Sequence, residues 1–133
     1  MSELIEFDDY HQVQLLLRAG IELKFELSDD ENIMNGSSIY AAALNNLREG
    51  WLQGLRATST PRGVQFVASW YQLSQNRENF KIVARRVTRL PGWRERDAVD
   101  FREWVEVLAA PLTVDDETLE AIKAAAEEEQ RLQ

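Results

Sequence analysis

Apolar residues recur along this chain with two periods, and the periods predict its elements. Tyr10, Val13, Leu16 and Leu17 are spaced as on one helix face, behind Asp8 and Asp9 as capping residues and ahead of Gly20 as a C-cap. That pattern predicts a helix over 9–19. Ile21, Leu23, Phe25 and Leu27 then alternate with Glu22, Lys24 and Glu26, which predicts a strand over 21–27. Its partner would be residues 4–7 or a neighbouring subunit. After a polar stretch, Ser37 or Ser38 can cap a helix over 38–56 whose stripe is Tyr40, Leu44, Leu47, Trp51 and Leu55. Gly50 and Gly54 lie four apart within it and permit a close backbone approach to a neighbour.

Residues 57–63 form a break, and Thr60 followed by Pro61 suits a new helix over 62–74. Its apolar residues occupy two faces, Val64, Val67, Ala68 and Tyr71 on one and Phe66, Trp70 and Leu73 on the other. Periodicity alone does not separate a buried helix from a strand here. Over 77–90, Phe80, Val83, Ala84, Val87 and Leu90 fall within an arc of about 120° on a helical projection, opposite Arg77, Lys81, Arg85, Arg86 and Arg89. Pro91 and Gly92 stop that helix. A helix over 96–109 buries Ala98, Phe101, Val105 and Leu108, and a thin helix over 115–131 starts at the Asp115 cap. The fold class predicted is helix-rich α+β: five helices, the thin sixth, and a minor sheet including 21–27. In the alternative, 64–73 and 80–89 form a β-hairpin beside 21–27. Residues 11–20 (HQVQLLLRAG) resemble the second helix of an ankyrin repeat. A repeat array needs further copies and none exists, so the resemblance carries no fold expectation.

Composition changes this picture in a few respects. A length of 133 residues suits one domain spanning 1–133. Zero cysteines exclude disulfides, thiolate metal sites and a Cys nucleophile, and His11 stands alone as the single histidine. No apolar run approaches the roughly 18 residues of a membrane span, and the acidic start lacks a basic signal region, which predicts a soluble cytoplasmic protein. The net charge is −8, but it is uneven. Residues 1–36 carry nine acids and two bases, and residues 97–133 carry eleven acids and three bases. Between them, residues 77–96 carry seven bases against Glu78 and Glu95.

Three constellations are candidates for chemistry. Asp8, Asp9 and His11 could orient an imidazole as a general base, although cap aspartates with a surface histidine nearby give the same pattern. The acidic run Asp29, Asp30, Glu31 and Asn32 lacks the regular spacing of a calcium loop. No phosphate-binding glycine loop or nucleophile elbow occurs, so neither an enzyme, a cofactor nor a metal is expected. The cationic island remains. Trp93, Arg85, Arg86, Arg89, Arg94 and Arg96 are the predicted partner-binding residues, because Trp and Arg dominate interface hot spots. Trp51 and Trp104 read as core. The predicted function is a non-catalytic protein-binding module: a small acidic adaptor, assembly factor, accessory factor or inhibitor. The alternative is nucleic-acid binding through a helix-turn-helix-like pair at 62–90, with Arg77, Lys81, Arg85 and Arg89 on phosphates. Either reading requires the island to be exposed rather than paired with the chain's own acids. Self-association as a homo-oligomer stays open.

Overall fold

The computed structural model describes residues 9–26 and 36–132. They form six helices in chain order: α1 (Tyr10–Glu26), α2 (Ser38–Thr58), α3 (Pro61–Ser69), α4 (Arg77–Val87), α5 (Ala98–Ala109) and α6 (Asp116–Arg131). Short 3₁₀ turns at Leu73–Gln75 and Trp93–Glu95 precede α4 and α5. Five helix starts carry side-chain caps, from Asp9 to the His11 amide, Ser37 to Tyr40, Thr60 to Gly63, Asp97 to Asp100 and Asp115 to Thr118. Four of these caps are in the sequence expectations, with Pro61 in the first turn behind Thr60.

The described residues contain no strand, which overturns the α+β assignment. Residues 21–26 of the expected strand are the last turns of α1, while Leu27 and residues 4–7 lie outside the described residues. The reason is visible in which side chains are covered. Val13, Leu17, Lys24 and Phe25 are buried, with Tyr10 and Ile21 packed against the core beside them. That is a helical stripe running through Gly20, whereas a strand would point Leu23 inward and Lys24 outward. Leu23 is instead 42% exposed and Lys24 is fully buried.

Gly20 is therefore no C-cap, and the helix expected over 9–19 continues seven residues beyond 19. A Cβ there would lie 2.4 Å from Leu44 Cδ2, and the Tyr40 hydroxyl donates to the Gly20 carbonyl at 2.8 Å. Glycine lets α1 and α2 approach along an antiparallel seam. Gly54 meets Tyr10 and Gly50 meets Val13 farther along the same seam, as the four-residue spacing suggested.

The hairpin alternative also fails, because 64–73 and 80–89 are mainly α3 and α4. Helix α3 ends at Ser69, short of the expected residue 74. Asn76 Nδ2 donates to the carbonyls of Trp70 and Gln72, both at 2.8 Å, and holds the turn into α4. Among the described residues, extended pairing is limited to an isolated bridge between Gln72 and Thr113, where the Leu73 amide donates to Thr113 O at 2.9 Å. That bridge ties the α3–α4 turn to the α5–α6 connection.

The core is shared. Val83, Ala84 and Val87 of α4 pack against α5 and α6, where Val105, Leu108, Ile122 and Ala126 are buried. Leu17 and Leu44 from the α1–α2 pair join the same cluster. Each fully buried aliphatic side chain of this kind stabilises the fold by about 1.5–3 kcal/mol. Lys24 is an unusual member of the interior. Its Nζ donates to the carbonyls of Val107 at 2.5 Å and Ala110 at 2.8 Å, so a cation covers carbonyls at the C-terminus of α5.

Candidate functional site

The cationic island divides into residues that face solvent and residues that belong to the core. Arg77, Lys81 and Arg85 of α4, with Arg89 in the turn just beyond it, form one exposed stripe at four-residue spacing. Arg85 and Arg89 take part in interactions within the chain, and Lys81 lies 3.7 Å from Glu78. Arg86 is turned inward instead of sharing that surface. It is buried, with its guanidinium 5.6 Å from the Phe25 ring centre and in further interactions within the chain. Its position between Val83 and Val87 on the helix brings it to the edge of the apolar arc.

Trp93 is only 4% exposed. Gly92 adopts a left-handed φ of 68° that turns the chain sharply after Pro91. The turn delivers the indole beneath its own loop, where Nε1 donates to Gln130 Oε1 at 3.1 Å and the ring lies 6.2 Å from Phe101. Trp93 thus joins the 3₁₀ turn to α5 and α6. Arg94 sits over its outer face, 5.4 Å from the ring centre, and Arg96 sits 4.9 Å over Trp104. Trp51 is buried, whereas Trp104 is half-buried.

The two helices of the helix-turn-helix alternative have different packing partners. Helix α3 packs on α2, while α4 packs on α5 and α6. At the other end of the molecule, Asp9 Oδ1 accepts from the His11 amide at 3.0 Å and lies 2.9 Å from His11 Nδ1. Both contacts hold the Asp9 carboxyl below its usual range, the backbone bond most strongly. The aspartate caps α1, and the imidazole stacks on Tyr10 with ring centres 4.4 Å apart. Both residues are exposed. Asp8 and the acidic run at 29–32 lie outside the described residues.

A further surface comes from α3. Its inner side uses Val64, Val67 and Ala68 against the core. Its outer side carries Phe66 and Trp70, 65% and 52% exposed, in an edge-to-face contact with ring centres 5.6 Å apart. Arg62 precedes Phe66 by one turn and is exposed. Residues 50–77 contain Arg56, Arg62 and Arg77 and no Asp or Glu. A cavity of about 420 Å³ opens beside α3, lined by Arg56, Ser59, Pro61, Val64, Gln65 and Ala68. Phe66, Trp70 and the cavity residues were not among the predicted site residues, whereas Arg77 was, in the nucleic-acid alternative. The signal was the pair of apolar faces on one short segment, since a surface helix can bury only one of them. Compared with known proteins, the chain matches no family model, no curated protein and no solved structure.

Proposed function

We propose that this chain is a non-catalytic protein-binding module whose contact face is the outer side of α3. The observation that carries this reading is the exposed Phe66–Trp70 pair. Single exposed apolar residues are ordinary, but two large aromatic rings in mutual contact on a surface helix mark an interaction site. Aromatic and Arg side chains supply most of the binding energy at protein interfaces, and Arg62 stands one turn from Phe66.

The charge around the pair selects the partner. The segment with no acids presents only arginines, so it complements an acidic segment bearing apolar anchors. A two-fold dimer through this face would set Arg62 near its own copy, which like charges oppose. Nucleic acid is disfavoured by the overall charge of −8 and by the few cations beside the rings.

The test is affinity capture from nuclease-treated extract of the native host, followed by binding of the purified captured protein. Wild-type chain is compared with the Phe66→Ser/Trp70→Ser variant. The expected result is a partner bound at least about tenfold more weakly by the variant, with thermal unfolding unchanged. Equal binding by both chains overturns the reading. A single-stranded oligonucleotide bound by wild type, lost in the variant and steeply weakened by salt replaces it with the nucleic-acid alternative.

A further inference from the structure

We propose that the pocket between the Trp93–Glu95 turn, the start of α5 and α6 is a binding site for a small oxyanion, a phosphate or carboxylate group on an apolar stem. The pocket has a volume of about 110 Å³. Arg94, Arg96 and Lys123 line it against one carboxylate, Glu120, and Trp93 and Phe101 supply an apolar floor. Like charges gathered around one small cavity repel each other, and an anion between them removes that repulsion. This is a cationic concavity in a chain of net charge −8.

Two further observations point to a ligand. Among the described residues, no carboxylate pairs with Arg94, Arg96 or Lys123, and Arg96 Nε is buried with no acceptor. Buried donors in proteins nearly always have a partner. In addition, the two guanidinium groups lie over the Trp93 and Trp104 rings. These cation–π contacts restrict the side chains, so less freedom is lost when the forked donors meet an oxyanion. Ala98, the first residue of α5, also lines the pocket and brings the positive end of that helix to the same place, partly offset by the Asp97 cap.

The experiment is calorimetric titration of the full chain at low ionic strength with phenyl phosphate, benzoate and benzyl alcohol. At least one of the two oxyanions binds saturably, and whichever does so more tightly assigns the group as phosphate or carboxylate. The Arg94→Gln/Lys123→Gln variant changes two exposed side chains, so its fold is retained and its thermal unfolding serves as the control. Its affinity drops at least about tenfold, while Glu120→Gln tightens binding about threefold by removing the opposing charge. The proposal is overturned if neither oxyanion binds at about 10 mM. It is equally overturned if the double variant binds as well as wild type, or if the neutral alcohol binds as tightly as the anions.

Discussion

Lys24 shows how far one side chain can depart from its usual role when the helix around it demands a buried position. Its ammonium is desolvated, and the charge of Arg86 adds to the effect, so its pKa is lowered from 10.5 to about 7. In the unfolded chain the proton stays on up to the ordinary value. Between about pH 7 and 10.5 the unfolded state therefore binds more protons than the folded state, and this group's contribution to stability rises with pH. Below pH 7 both states are charged and the full cost of burial is present. Urea unfolding at pH 6.5 and 9.5 is expected to show this gain, on the order of 3 kcal/mol. Lys24→Met is expected to remove it. The window stops short of pH 10, because burial raises the Tyr71 and Tyr40 hydroxyls and acts with the opposite sign above that point. In the sequence Lys24 sat on the polar side of an alternating run; the hydrogen bonds that make its burial tolerable come from Val107 and Ala110, more than 80 residues away.

At the scale of elements, helix starts were legible because a cap is a local event. Thr60 with Pro61, and Asp115, act within one turn of themselves. The end of α1 was not legible, because Gly20 reads as a helix terminator locally and as a contact point only when Leu44 and Tyr40 are beside it. The α1–α2 seam yields a contrast between two similar substitutions. A Cβ at Gly54 would lie 2.4 Å from Tyr10 Cβ, so Gly54→Ala is expected to destabilise the protein by about 1–3 kcal/mol. A Cβ at Gly50 would sit 3.5 Å from Val13, an ordinary contact. Gly50→Ala is expected to stabilise by up to about 1 kcal/mol through helix propensity. Chemical denaturation of the two variants checks both signs.

At the scale of the whole molecule, covering and exposure separate what holds the fold from what is available to a partner. Leu108 of α5 is buried in the shared core, and Leu108→Ala is expected to cost about 2–5 kcal/mol in denaturant unfolding. Phe66→Ser is expected to leave the midpoint nearly unchanged, although both positions are large and apolar in sequence. No described helix is long and apolar enough to cross a membrane. The sequence by itself determined helices α2, α5 and α6, most of the caps, the glycine spacing on α2 and the uneven charge, because each depends on neighbours within a turn or on counting. Only the tertiary structure decided that residues 21–26 are helical, that Trp93 and Arg86 are covered, and that Phe66 and Trp70 are not. Those outcomes depend on which surfaces meet across the molecule. A segment with two apolar faces does not reveal which one the other helices will bury.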